Sequence, residues 1–287
     1  MNKLWQVRTE KFINEKEAIM RSGNAYQIAN GYMGYRGTLD EFGPAQLVGI
    51  TLAGIFDRVG NAWREPVNAP NGGFTQVTLD GVNISALTTK IKSHRQSLNL
   101  ANAVFERETT FSSRGKNLKL KSSRFLSAEN PHLGVIQFSL ICDQAAKVVI
   151  GTGIDFNLWD LNGPHLLHLT AAKKSEILLV HGNTSEAAKR VAVAEAGEIN
   201  FGKEAHSTNG KKNLRVISVQ LEAGKTYTFQ KFFAVFTAND HVMSPRNSAV
   251  KCVRDAKLLG YETCLARHNA EWAKKWARGD VKIEGDD

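Results

Sequence analysis

Cysteine is scarce in this 287-residue chain: Cys142, Cys252 and Cys264 are far apart in sequence and form no CxxC pair. That excludes a disulfide framework and a cysteine-rich zinc site, and it fits a reducing compartment. Long apolar runs are missing too. No segment approaches the roughly eighteen uninterrupted apolar residues of a membrane-spanning helix, and the opening MNKLWQVRTEKF has no apolar core of the kind a secretory signal needs. A cytoplasmic protein that avoids the membrane is expected. Hydrophobic residues make up 42% and charged residues 23%, close to globular averages, so wholesale disorder is excluded.

Acidic residues are outnumbered by basic ones, giving a net charge of +9 and a pI near 9.4. A nucleic-acid partner would need these charges clustered, and they mostly scatter. The densest run, from Arg114 to Arg124, alternates Leu118 and Leu120 with Lys119 and Lys121, the pattern of an antiparallel strand with one wet face. No helix-turn-helix, zinc finger or RNA-binding motif accompanies it. No nucleic-acid partner is expected, although a positive field would favour an anion such as phosphate.

What is present is one strand candidate after another. Thr75 to Leu79 and Val82 to Ala86 flank Asp80-Gly81, a two-residue hairpin signal because both central positions accept positive φ. Further candidates are Leu47 to Phe56, Ala103 to Ser112, Leu118 to Leu126, Leu133 to Cys142 and Lys147 to Ile154. His165 to Thr170, Ile177 to His181, Arg190 to Glu195, Leu214 to Leu221 and Thr226 to Thr237 complete the series. No long helical periods separate them, so antiparallel sheets packed face to face are expected, a mainly β fold and a large sandwich.

After Asp240 the texture changes. Ser244-Pro245 is a helix start, the first helix runs to Leu259, and Gly260 interrupts it. Beyond it Tyr261, Cys264, Leu265, His268, Trp272 and Trp276 recur at three- and four-residue steps and share one face. Packing on the sandwich is the favoured role of that stripe.

Motifs for other chemistry are weak. Gly151-Thr152-Gly153 lacks the third glycine and the following helix of a dinucleotide loop. His165 and His168 fall on opposite faces of a strand and no third ligand is evident, so no metal site is expected. Asp40-Glu41, Asp155, Asp160 and Glu106-Glu108 could each be nominated as catalytic carboxylates, but sequence does not fix their separations.

The segment Asn30-Gly31-Tyr32-Met33-Gly34-Tyr35-Arg36-Gly37 carries a glycine at every third position and is expected to be a tightly shaped loop, neither helix nor strand. With Gly54, Asp57, Asn68 and Pro70, then His94, Arg95, Leu98, Glu106, Arg107 and Ser113-Arg114, and finally His268, Trp272, Trp276 and Asp280, it resembles the N-terminal region of glycoside hydrolase family 65. The closing Asp280-Val281-Lys282-Ile283-Glu284-Gly285-Asp286 fits as well, while Asn99 stands where an aspartate is usual. The likeness spans nearly the whole chain and is thinnest between Gly151 and Asn213.

The resemblance implies an N-terminal β-supersandwich over residues 1–240 and linker helices over 241–287, leading to a catalytic (α/α)6 barrel further along than this sequence extends. The family's inverting disaccharide phosphorylases act on maltose, trehalose, kojibiose and nigerose. There an acid protonates the glycosidic oxygen while inorganic phosphate attacks the opposite face of the anomeric carbon, giving β-glucose 1-phosphate with no cofactor or metal. The partners implied are a disaccharide, phosphate and the chain's own barrel, with a homodimer allowed. No catalytic residue is expected here, and the chain alone should be inactive. Two other readings stay open: a fragment of a water-using glycoside hydrolase, and a free-standing carbohydrate-binding module. In the module Tyr32, Tyr35, Trp63 and Trp159 would offer aromatic platforms and Arg36 hydrogen bonds, with Tyr32 and Arg36 the principal carbohydrate-binding candidates. Arg36 is also expected to be tied to backbone carbonyls or a carboxylate, fixing the loop.

Overall fold

The computed structural model describes residues 5–281 and Gly285; most of the closing segment from Lys282 therefore lies outside the described residues. The early strands are β1 (Gln6–Thr9), β2 (Ile28–Ala29), β3 (Met33–Tyr35), β4 (Ile50–Asp57), β5 (Glu65–Ala69), β6 (Thr75–Leu79) and β7 (Val82–Ile84). The middle of the chain forms β8 (Lys90–Asn99), β9 (Val104–Ser113), β10 (Lys116–Leu126), β11 (Leu133–Cys142) and β12 (Ala146–Asp155). Then follow β13 (Leu166–Lys174), β14 (Ile177–Thr184), β15 (Arg190–Glu198), β16 (Lys203–Asn209), β17 (Lys212–Leu221) and β18 (Thr226–Thr237). Helix α1 (Lys16–Ala25) follows β1, and α2 (Pro245–Gly279) closes the fold.

All strand pairs are antiparallel. A nine-stranded sheet runs β1-β8-β9-β10-β11-β18-β15-β14-β13, a five-stranded sheet β16-β17-β12-β6-β7, and a four-stranded sheet β2-β3-β4-β5. The large sheet is the middle layer. Its strands send alternate residues to opposite faces: Leu126, Ile136, Leu178, Val193, Phe233 and Val235 pack toward the four-stranded sheet. Their neighbours Phe125, Val135, Leu179, Ala192, Phe232 and Ala234 pack under α2. The five-stranded sheet contributes Val77, Leu79, Val148, Ile150 and Ile217 to a second inter-sheet core with Phe111, Leu118, Leu140 and Phe229. Strands buried on both faces must be apolar at nearly every position, which is why the middle of β18 reads FQKFFAVF without a simple alternation.

Strand β10 has the expected wet face. Lys121 and Lys119 on it reach Glu108 of β9 at 2.8 and 3.4 Å, whereas Arg124 at its end is buried. Helix α2 begins as its sequence dictates, with the Ser244 hydroxyl accepting from the Asn247 amide and Pro245 in the first turn. At Gly260 the backbone turns to φ +76° and the helix breaks in two, a conformation that costs a side-chain-bearing residue far more than glycine. Two expectations need correcting. The glycine-rich segment is not loop throughout, because Met33–Tyr35 pairs with Ile28–Ala29 and with β4. His165 precedes β13 rather than starting it.

Candidate functional site

The glycine-rich segment is pinned at its entry by Asn30. The Asn30 Oδ1 accepts from the amides of Tyr32 and Met33 at 3.1 Å each, and its Nδ2 donates to the Ser127 and Pro131 carbonyls at 2.9 Å each. Gly31 sits at φ +92° in open space. Gly37 is required for a different reason: a Cβ there would lie 2.2 Å from the Tyr26 Cβ.

The two carbohydrate-binding candidates both spend polar groups on the protein. Tyr32 donates its hydroxyl to Asp240 Oδ2 at 2.7 Å and meets the His132 ring edge-on. Burial, with the Asp240 hydrogen bond, pushes its phenol above the ordinary range, so it remains a neutral donor. Arg36 donates from Nη2 to the Met20 carbonyl at 2.9 Å, tying the segment to α1 as expected. Tyr35 is buried and donates to Asn71 Oδ1 at 2.8 Å, and Trp159 donates from Nε1 to the Val48 carbonyl at 2.6 Å. Of the four proposed platforms, Trp63 is the one that stands clear in solvent, at 66% exposure.

The carboxylates nominated from sequence mostly have structural duties. Buried Arg107 binds Glu41 Oε2 at 2.5 Å, Glu41 Oε1 at 3.0 Å and Asp40 Oδ2 at 3.2 Å. The Asp155 carboxylate accepts from the Asn157 amide through Oδ1 at 2.9 Å.

A denser constellation lies at the end of the β4–β5 hairpin. Asp57 and Glu65 are cross-strand partners there, so their side chains share a face. The fully buried His165 ring lies between them, with Nδ1 3.1 Å from Asp57 Oδ2 and Nε2 2.5 Å from Glu65 Oε1. Burial alone would lower the His165 pKa, but the bonds to Glu65 and Asp57 outweigh it and raise it. Burial would raise both carboxyls; hydrogen bonds from Ser185 and the Glu186 amide hold Asp57 low, and the Asn162 amide with His165 does so for Glu65. Asp160 completes the group: its Oδ2 accepts from the His165 amide at 3.2 Å, and burial raises its pKa. Suitable donor atoms of Glu65, Asp160 and His165 lie within 4.8 Å of one another. His168, the partner considered from spacing, is exposed at a bulge in β13. Residues 57, 65, 160 and 165 have no common spacing: the family resemblance singles out Asp57, Asp160 is one carboxylate among several and His165 stands out only beside His168, while sequence reasoning misses Glu65.

Comparison with known proteins places the chain in a family. The family described as glycosyl hydrolase family 65, N-terminal domain, matches residues 7–275. The chain belongs to that family. Among curated relatives, the nigerose phosphorylase of Lachnoclostridium phytofermentans is 32% identical over 297 residues, covering 95% of this chain and 39% of the relative. The 1,2-alpha-glucosylglycerol phosphorylase of Bacillus selenitireducens is 26% identical over 288 residues, covering 98% of this chain and 36% of its own length. The chain thus spans well under half of these relatives. In structure, a putative kojibiose phosphorylase from human microbiome superposes with a TM-score of 0.85 at 15% identity, over 98% of this chain and 39% of that one. That likeness establishes a shared fold.

Within this family 65 domain, the stripe on the second half of α2 packs on the sandwich. Tyr261 donates to Ser123 Oγ at 3.0 Å. His268 accepts from the Ala128 amide through Nδ1 at 3.1 Å and faces the Asn102 carbonyl through Nε2 at 2.5 Å. A carbonyl can only accept, so the proton sits on Nε2. Trp276 donates to the Ala101 carbonyl at 2.8 Å and stands edge-on to Trp5, ring centroids 4.7 Å apart. No helix among the described residues is long and apolar enough to cross a membrane.

Proposed function

We propose that this chain is the non-catalytic N-terminal sandwich of an inverting disaccharide phosphorylase, one that cleaves an α-glucosidic bond with inorganic phosphate to give β-glucose 1-phosphate. The carrying observation is the family match across residues 7–275, beside an alignment of 95% of this chain with 39% of a nigerose phosphorylase. In this reading residues 1–240 form the sandwich, and 241–287 lead to a helical barrel that holds the catalytic acid. The three free cysteines suit a cytoplasmic setting. Tyr32 and Arg36 keep the glycine-rich segment in shape, since the Tyr32 hydroxyl and the Arg36 Nη2 are bound to Asp240 and the Met20 carbonyl.

The test is enzymatic. The purified 287-residue chain should release no glucose 1-phosphate and no free glucose from nigerose, kojibiose, maltose or trehalose. Joined to the catalytic portion of the Lachnoclostridium nigerose phosphorylase, it should restore phosphate-dependent release. Turnover by the chain alone, abolished by a substitution within it, would sink the reading, and phosphate-independent release of glucose by the joined protein would point to hydrolysis instead.

A further inference from the structure

We propose that Glu65, Asp160 and His165 form a site for one divalent transition-metal ion of the zinc class, with Asp57 as the group that orients the histidine. The reading is independent of the phosphorylase assignment.

Four observations meet at this place. Glu65 is only 6% exposed, and its Oε2 is buried with no hydrogen-bond partner among the described residues. Its Oε1 is held by the amides of Leu161 and Asn162 at 3.0 Å each, so the carboxylate is fixed with one oxygen left over. A buried charged oxygen without a donor is costly, and a cation removes that cost. Second, Asp57 binds His165 Nδ1 and is itself anchored by the Ser185 amide at 3.2 Å and the Glu186 amide at 2.8 Å. A carboxylate on one ring nitrogen, itself held in place, fixes the ring so that the other nitrogen, here turned to Glu65 Oε1, is the one a metal would take.

Third, three carboxylates face a single imidazole, and the nearby guanidinium groups of Arg58 and Arg64 are both engaged by Glu186. Even with His165 charged, the three carboxylates leave two negative charges, and the pair Arg58 and Arg64 on the single Glu186 offsets only one of them, so the cluster keeps a net negative charge. Fourth, Glu65 and Asp160 line a cavity of about 140 Å³ shared with Thr51, Asn68 and Trp159. The cavity reaches the two carboxylates, giving an ion a way to them, whereas His165 is buried outside its lining.

The donor set chooses the metal. One imidazole nitrogen and two carboxylate oxygens suit Zn²⁺, whereas Ca²⁺ requires six to eight oxygens, more than this site offers. Bonds of about 2.0–2.2 Å put neighbouring donors roughly 3.5 Å apart, so donor atoms now within 4.8 Å close by about 1 Å through side-chain rotation. The His165 Nε2 contact with Glu65 Oε1 opens in the process. The proton on Nε2 leaves to solvent, so binding releases one proton for each ion taken up. The bound ion clamps the β4–β5 hairpin to the segment that enters β13.

The experiment strips the 287-residue chain with a chelator and titrates it with Zn²⁺ by calorimetry in two buffers of different ionisation enthalpy. One equivalent should bind, a proton should be released, and thermal unfolding should move upward. Co²⁺ in place of Zn²⁺ should give a visible d–d absorption band on the unaltered chain, a readout that needs no variant. Glu65→Gln and Asp160→Asn, checked for native circular dichroism, should each weaken binding about 10–100-fold, while His168→Gln at the exposed bulge should not. Absence of one-to-one binding, equal binding by Asp160→Asn, or Ca²⁺ bound as tightly as Zn²⁺ would each overturn the proposal.

Discussion

Arg124 places its guanidinium carbon 4.5 Å from the ring centroid of Tyr35 and 4.4 Å from that of Phe105. Its Nη2 donates to the Thr38 carbonyl at 2.6 Å. A residue 1% exposed thereby locks the end of the glycine-rich segment to the central sheet. A planar, weakly hydrated guanidinium contacts aromatic faces more readily than a compact, strongly hydrated ammonium. Arg124→Lys keeps the charge but loses the guanidinium's contacts with both rings, and should cost about 2–4 kcal/mol in urea unfolding. Arg8→Lys, at an exposed ion pair with Glu10, should change stability by less than about 0.5 kcal/mol.

Gly31 and Gly37 separate two meanings of glycine in one motif. Gly37→Ala drives a Cβ to 2.2 Å from the Tyr26 Cβ and 2.4 Å from its carbonyl oxygen, atoms that cannot yield without moving α1's C-terminal turn. Gly31→Ala meets nothing within 4 Å and bears only the strain of φ +92°. Thermal unfolding should report a loss of about 2–4 kcal/mol for Gly37→Ala and about 1–2 kcal/mol for Gly31→Ala. Equal losses would show that the close approach is unimportant.

Strands with an apolar rhythm were legible: Thr75–Leu79, Leu133–Cys142 and Thr226–Thr237 occur with the bounds expected from sequence. Those escaping notice had polar reasons to do so. Strand β8 reads KIKSHRQSLN because its buried face includes His94 and Gln96, while β16, KEAHSTN, is an exposed edge with no core face at all. Helix α1 is only ten residues long and buries little beyond Gly23. The His165 cluster was illegible for a topological reason. Asp57 and Glu65 meet through a hairpin, and His165 reaches them from a segment 100 residues further on.

His94 makes stability depend on acid. Burial first, and the Arg107 charge second, lower its pKa from 6.5 to about 4, so the folded ring stays neutral against Thr109 Oγ1 and Gln96. Between pH 4 and 6.5 the unfolded chain binds more protons at this group than the folded one, and stability therefore rises with pH across that window. The share lost on going from pH 7 to 4 is about 3 kcal/mol by the size of the shift. His94→Gln should flatten the pH dependence of the unfolding free energy between 4 and 7. Parallel curves for the two proteins would assign the acid sensitivity elsewhere.

Trp276 offers a test of the proposed junction with a catalytic portion. It is half-buried here, held by the Ala101 carbonyl and the edge of Trp5, both of the sandwich. Its neighbour Trp272 is also half-buried, and its Nε1 is shielded from solvent without a hydrogen-bond partner among the described residues. Two large indoles one turn apart, neither fully covered by the sandwich, suit a surface that a second domain completes. In the isolated chain, Trp276→Ala should cost about 1–3 kcal/mol, below the roughly 3–5 kcal/mol of a fully buried tryptophan, because part of the ring already faces water. Trp276→Phe keeps the ring contact and loses the indole donor, so it should cost about 1 kcal/mol. In the protein joined to a catalytic portion the alanine penalty should grow toward the fully buried value, and the tryptophan emission should shift to shorter wavelength. If both measurements are the same with and without that portion, the stripe serves the sandwich alone.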